Sequence, residues 1–256
     1  MKYLVLIQAR CGSSRLPNKV LKKFGEKTDL QWVVERVNRS SLIDEVMVIT
    51  SIEKNNLPLI KLCAELGVRI FVGSEGDVLD RYYQAAKLIN PEYVIRVTGD
   101  CPLFDWRYLD LAIQTMETDT DYMSEITESF PDGLDIEIMK FSALREAWKN
   151  AELASEREHV TLYIRNHPEK FKIQNLECPI KGINNKRWTL DEPDDYIFIS
   201  KIYENFLKKN KIDFITEDIL NFLIQNPELE SINSSIGRNE GLAKSLREDR
   251  IVSIIE

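Results

Sequence analysis

The chain has 256 residues, with 34 Lys and Arg against 42 Asp and Glu, a formal net charge of −8 and a pI near 5.1. That balance excludes a general nucleic-acid binder, which needs a basic face, while 43% hydrophobic and 30% charged residues suit a globular chain with one sizeable core. The apolar run before Gln8 is too short for the core of a secretion signal and no segment approaches a membrane span, so no membrane association and a cytoplasmic location are expected.

Residues 3–7 are an unbroken apolar run and predict a buried strand. The loop after it, Gln8-Ala9-Arg10-Cys11-Gly12-Ser13-Ser14-Arg15-Leu16-Pro17-Asn18-Lys19, sets Arg10, Arg15 and Lys19 around the small residues Gly12, Ser13 and Ser14. Small residues let backbone N–H groups approach a ligand, and cations converging on such a nest suit a polyphosphate. Pro17 stiffens the exit. A solvated basic turn is the plain alternative; the position after the first strand of an α/β pattern favours phosphate. Neither a Walker A sequence nor Gly-x-Gly-x-x-Gly is present.

Further along, helical spacing covers 30–37, 57–66 (stopped by Gly67) and 77–88 (capped by Asp77), alternating with strands at 46–50, 69–72 and 93–97. This β-α order predicts a mostly parallel sheet with helices on both faces. The segment Gly73-Ser74-Glu75-Gly76-Asp77 opens the third helix at the ligand edge; Arg81 either reaches a ligand from there or braces Asp77 as an i,i+4 pair. Strand 93–97 runs into Thr98-Gly99-Asp100-Cys101-Pro102, so Asp100 projects over the crevice, and Asp105 caps the helix predicted at 106–116. Past it, 135–139 alternates like a half-exposed strand, 142–150 and 158–166 read as helices, and 171–173 and 187–190 as strands. Helices are predicted at 194–208 and 217–225, and the apolar 251–255 is expected to add a strand or dock on a partner. Asp191, in Leu190-Asp191-Glu192-Pro193, ends a short strand before a helix and is either a metal ligand or that helix's N-cap.

The four cysteines, Cys11, Cys63, Cys101 and Cys178, lack Cys-x-x-Cys spacing, so neither zinc nor redox chemistry is indicated. With two histidines, His159 and His167, any metal should be a hard cation held by carboxylates and phosphates. Two polar clusters remain, Pro131-Asp132-Gly133-Leu134-Asp135-Ile136-Glu137 and Glu156-Arg157-Glu158-His159-Val160-Thr161; a solvated helix start also explains the second.

The first loop, as Gln-Ala-Arg-x-Gly-Ser-x-Arg-Leu-Pro-x-Lys-Val-Leu, resembles the opening of the SpsF-type cytidylyltransferases of spore coat polysaccharide biosynthesis, and is more distantly similar to CMP-Kdo and CMP-sialic acid synthetases. Gly-Asp-Cys-Pro, Thr-Leu-Asp-Glu-Pro, Asp-Gly-Leu-Asp-x-Glu, Glu-Arg-Glu-His-Val-Thr and the tail from Arg238 through Asn239 to Ser245 extend the likeness over nearly the whole chain. The resemblance implies a single α/β domain over 1–256 with a Rossmann-like, GT-A-like nucleotidyltransferase sheet, a smaller β-containing lobe near 125–180 for acceptor and dimer contacts, and a tail at 230–256. It implies CTP held by Gln8, Ala9, Arg10, Gly12, Ser13, Ser14, Arg15, Lys19, Ser74, Arg81, Thr98 and Gly99. Mg²⁺ would sit on Asp100 and Asp191, with Arg15, Lys19 and Asp100 catalytic. Asp132, Asp135, Glu137, Glu156, Arg157 and His159 would face an acidic-sugar acceptor, His159 being a weak candidate base. The expected reaction gives a CMP-sugar and pyrophosphate in a homodimeric enzyme. A phosphorylated acceptor, a nucleotide-sugar-dependent glycosyltransferase using Asp119-Thr120-Asp121, and a silent nucleotide-binding scaffold are the alternatives.

Overall fold

A computed structural model of the protein describes residues 1–238 and 240–252. Four parallel strands form one half of the sheet: β1 (Tyr3–Gln8), β4 (Glu45–Ser51), β5 (Arg69–Gly73) and β6 (Tyr93–Thr98). Strand β8 (Glu137–Lys140) runs antiparallel to β6, and β7 (Tyr122–Ser124) and β9 (Ile173–Asn175) complete a seven-stranded sheet in the order β5-β4-β1-β6-β8-β7-β9. A two-stranded hairpin, β2 (Lys23–Phe24) with β3 (Lys27–Thr28), follows the first loop.

Both faces of the central strands are covered, which is why they read as continuous apolar runs. Val5 and Ile7 of β1 pack on the face holding α1 (Asp29–Val37), α2 (Leu57–Leu66), α4 (Trp106–Thr115), α8 (Pro193–Lys208) and α9 (Thr216–Gln225). Leu4 and Leu6 pack on the other, with α3 (Val78–Ile89), α5 (Phe141–Asn150) and α7 (Leu162–Asn166). The expected caps form: Asp77 accepts from the N–H of Asp80 at 2.8 Å and Asp105 from that of Arg107 at 3.1 Å. Asp105 thus starts α4 and leaves Asp100 free of capping duty.

The second half departs from the sequence pattern in physically legible ways. Residues 125–180 add β8, antiparallel to β6 and β7, and β9, parallel to β7, to the same sheet. Strand β8 is an inner strand, not half-exposed; its alternation arises because buried Glu137 is paired with Arg96 of β6. The helix expected at 158–166 is two short ones, α6 (Ala154–Glu158) and α7, broken where Val160 takes φ 43°. Segment 187–190 is extended, but only Arg187 makes a bridge, to Asp132. Helix α10 (Glu240–Arg247) folds back over the cleft, and Ile251 bridges Leu153; Asn239 and 253–256 of the expected last strand lie outside the described residues.

The 131–135 turn is sewn to the 186–189 segment. Asp132 N–H donates to the Lys186 carbonyl at 3.0 Å and Trp188 N–H to the Asp132 carbonyl at 2.7 Å. Between them Gly133 has φ +100°, and a Cβ there would lie 2.6 Å from the Thr189 nitrogen. Gly133→Ala should therefore destabilise the fold by about 3 kcal/mol, combining backbone strain with overpacking. The melting temperature should fall by roughly 6–12 °C; an unchanged value would contradict this close approach.

Asp29, the first residue of α1, is fully buried, and neither carboxyl oxygen has a partner among the described residues. Burial, then repulsion by Asp100, raises its pKa well above the usual carboxylate range, with Lys19 opposing. A carboxyl raised in the folded state contributes stability below its unfolded pKa and loses it as pH rises towards the folded one. Asp29→Asn should therefore stabilise the protein near pH 8, on the order of 1–3 kcal/mol, and the gain should vanish below about pH 4. Chemical denaturation at the two pH values checks this; a pH-independent difference would contradict it.

Candidate active site

Residues from opposite ends of the chain meet at the C-terminal edge of the parallel strands. Strand β6 ends at Thr98, beside Gln8 at the end of β1. Gly99 then turns so tightly over β1 that a Cβ would lie 2.9 Å from both the Ala9 Cβ and the Gln8 carbonyl oxygen. This turn delivers Asp100. The Leu190 N–H donates to the Asp100 carbonyl at 2.8 Å, which lays the 187–191 segment alongside and delivers Asp191.

Lys19 joins the two carboxylates. Its Nζ donates to Asp100 Oδ2 at 2.5 Å and to Asp191 Oδ1 at 2.7 Å. Burial alone would lower the Lys19 pKa, but Asp100 and Asp191 raise it above the ordinary lysine value. Burial likewise pushes Asp100 up, and Lys19 outweighs it, leaving this carboxyl below the usual range. Arg15 pairs with Asp191 and reaches Glu192 at 3.3 Å and Glu240 at 3.6 Å. Asp191 is not the N-cap of α8. Glu192 holds that place, and the Asp195 carboxylate accepts from the N–H groups of Asp191 and Glu192 at 2.9 and 2.8 Å.

The rest of the first loop is fixed from behind. Buried Asn56 accepts from the Cys11 N–H at 2.8 Å, Ser13 Oγ accepts from the Leu16 N–H at 3.2 Å, and Arg10 pairs with Glu75 at 2.7 Å. Gly12 and Ser14 are exposed, and the buried Gln8 Oε1 has no partner among the described residues. Cys11 and Cys101 are buried free thiols raised in pKa by burial, as expected of packing residues.

Three expected site residues are turned to other work. Arg81 is 1% exposed and forks onto the Ser74 carbonyl at 2.9 and 2.6 Å, shaping the 74–77 turn from inside. It does not pair with Asp77, which instead receives both Arg157 Nε and Nη2, at 2.8 and 2.5 Å. Arg157 also donates to the Trp148 carbonyl at 2.6 Å, and Glu156 accepts from the Leu153 N–H at 3.5 Å. Arg157 is a buried brace between α3, α5 and α6 and Glu156 a buried cap at the start of α6; neither lines the cleft.

Asp132, Asp135, Glu137 and His159 do line a cleft of about 370 Å³, together with Thr98, Arg15 and Asp191. Sequence reasoning misses the arginines that accompany them. Arg96 pairs with Glu137, Arg187 with Asp132 and Asp195 at 2.9 and 2.8 Å, and Arg238 with Glu125 and Asp135, both at 2.8 Å. Burial, then repulsion by Asp135, lifts Asp132 to about 6 despite Arg187. Glu137 is held low: Arg96 and the Tyr122 hydroxyl, which donates at 2.7 Å, outweigh burial. Burial lowers the His159 pKa, and its Nε2 is 3.0 Å from Ser245 Oγ of α10. Asp119 and Asp121 are instead tied to Lys172 and Lys140 beside β9 and β8.

No cluster of three or more metal-ligating side chains occurs among the described residues. Asp100 and Asp191, joined through one ammonium, offer two carboxylates only. That donor set fits a Mg²⁺ ion completed by phosphate oxygens and water, its common manner of binding.

The Cytidylyltransferase family model matches residues 4–219. The spore coat polysaccharide biosynthesis protein SpsF of Bacillus subtilis is 34% identical over 88% of this chain and 95% of its own. A 3-deoxy-manno-octulosonate cytidylyltransferase of Bdellovibrio bacteriovorus is 34% identical over 46% of this chain and 47% of its own. The solved structure of a cytidylyltransferase from Leptospira borgpetersenii superposes with a TM-score of 0.84 at 32% identity, covering 90% of this chain and 97% of that one. The strand-edge cluster of Lys19, Asp100 and Asp191 thus lies in a chain that belongs to the cytidylyltransferase family, of SpsF type, and is a CTP-dependent nucleotidyltransferase.

Proposed function

We propose that the protein joins CTP to an acidic sugar, giving a CMP-sugar and pyrophosphate for surface polysaccharide synthesis. The observation that carries this reading is the Lys19 ammonium held between Asp100 and Asp191, the latter lining an arginine-rich cleft. Support for the substrate class comes from the names of the SpsF and octulosonate relatives.

Arg15 and Lys19 would exchange their carboxylate partners for the β- and γ-phosphates, keeping charge-assisted contacts throughout. Asp100 and Asp191, freed by that exchange, would hold Mg²⁺. The ion, when bound, supplies Lewis-acid neutralisation of the phosphate oxygens. A sugar hydroxyl oxygen then bonds to the α-phosphorus as the bond to the β-phosphate oxygen breaks. The hydroxyl proton passes to water, and Arg15 and Lys19 stabilise the charge gathering on the departing pyrophosphate. Positioning dominates the chemistry, since no nucleophilic side chain is required. Burial lowers the His159 pKa, and its Nε2 contacts Ser245 Oγ of α10.

Pyrophosphate release with each of the four ribonucleoside triphosphates, against 2-keto acid sugars and sugar phosphates, tests this. CTP with a keto acid should be preferred, and EDTA should abolish turnover. Asp100→Asn and Asp191→Asn should each lose ~30- to 1000-fold in rate while remaining folded. Preference for UTP or ATP, insensitivity to EDTA, or a CDP-linked product from a sugar phosphate would overturn the assignment.

A further inference from the structure

Val160 has φ 43°, whereas the other non-glycine residues with positive φ among the described residues, Asn18, Asn90 and Asn210, are all asparagines. A β-branched residue is strained there. Its side chain is fully buried in the core, while its neighbours on either side, His159 and Thr161, both line the cleft. Such strain persists only where the surroundings enforce it, and it collects at functional sites.

The His159 ring is held in one tautomer. Ser245 Oγ donates to Glu158 Oε2 at 2.7 Å, since an ionised carboxylate can only accept. That uses the one hydroxyl proton. At 3.0 Å from His159 Nε2, the Ser245 oxygen therefore accepts, and Nε2 carries the ring proton. Nδ1 is left with its lone pair, and among the described residues no group donates to it. Ser245 is itself anchored. Asp249, just past α10, accepts from the N–H and hydroxyl of Ser155 at 3.0 and 2.6 Å. This ties α10 to α6, which carries Glu158 and has His159 as its C-cap. The charges acting on the ring are Glu158 of α6, Arg96 of β6, Glu137 of β8 and Asp249; burial outweighs the three carboxylates and leaves the pKa below the ordinary value. The unprotonated ring thus prevails at pH 7.

We infer that His159 Nδ1 is the final acceptor of the sugar hydroxyl proton, aimed by a Glu158–Ser245 pair that joins α6 to α10. As the hydroxyl oxygen bonds to the α-phosphorus, its O–H bond breaks, and the water that takes the proton passes it to Nδ1. The resulting imidazolium is balanced by Glu158 through Ser245, and it returns the proton to solvent after turnover. This rests on the CTP-dependent reading above and adds a base to it. Ser245 lies beyond the 4–219 region of the family match, so the C-terminal segment takes part in the chemistry.

Pyrophosphate release with CTP and Mg²⁺, using N-acetylneuraminate and 3-deoxy-manno-octulosonate as acceptors, tests this. His159→Gln should lower kcat by ~100-fold or more, the scale of a lost general base, with both KM values within ~3-fold of wild type and a cooperative melt. Added imidazole should restore the rate of His159→Gly by ~10-fold or more, which a histidine with a purely structural role would not show. Ser245→Ala should lose ~10-fold in kcat at unchanged KM, and Ser245→Thr, which keeps the hydroxyl, should recover most of it. Three results each overturn the inference: a folded His159→Gln within ~3-fold of wild type in kcat, no rescue of His159→Gly by imidazole, or Ser245→Ala as active as wild type. Failure of the wild-type protein to release pyrophosphate with either acid would overturn the keto-acid reading instead.

Discussion

The ammonium of Lys19 holds together two carboxylates that lie 81 and 172 residues further along the chain. Each partner arrives by a separate structural device: Asp100 by the tight Gly99 turn over β1, Asp191 by the hydrogen bond from Leu190 to the Asp100 carbonyl, Lys19 by a short helical turn closing the first loop. Removing one member of a buried pair costs about 3–5 kcal/mol when burial is complete. Here the side chains keep 12–23% of their exposure, so solvent screens part of that. The depressed pKa of Asp100 gives the cluster a pH dependence: its stabilisation is present at neutral pH and is lost as pH falls through the folded value.

The same pairing logic extends into the cleft. Arg96 with Glu137, Arg187 with Asp132 and Asp195, and Arg238 with Asp135 and Glu125 place many charges side by side in a half-enclosed space. Such networks fix side-chain positions more than they add stability. On the proposed function, a triphosphate and a divalent cation would enter by exchanging partners with the Lys19 cluster, cations to phosphate and carboxylates to metal. That exchange leaves no charge stranded in a poorly solvated site.

The parallel half of the fold was legible because doubly covered strands and capped helices carry strong local signals; 93–97, Asp77 and Asp105 landed as read. The antiparallel wing was less so. The three-residue strand β7 has no periodicity to detect, β9 begins at the end of the strand expected at 171–173, and the break at Val160 is a backbone event without a glycine to announce it. Of the expected site residues, Lys19, Asp100 and Asp191 come together because strand ends and loops deliver them. Arg157 turns from the cleft to a partner that local polarity cannot reveal, since Asp77 lies 80 residues away, whereas Arg81 and Glu156 turn to nearby backbone groups of Ser74 and Leu153. Arg96 and Arg187 were passed over for the converse reason. An arginine within a strand-like run reads as solvent-facing until the carboxylate opposite it is known.

The central claim is that Lys19, not merely its carboxylate neighbours, handles the nucleotide phosphates. Steady-state pyrophosphate release by Lys19→Met, run beside its thermal melt, tests this most directly. The account predicts a fall of ~100-fold or more in kcat with CTP, as expected for loss of a cation facing developing charge, and a cooperative melt showing a folded protein. A folded Lys19→Met variant turning over within ~3-fold of wild type would contradict it.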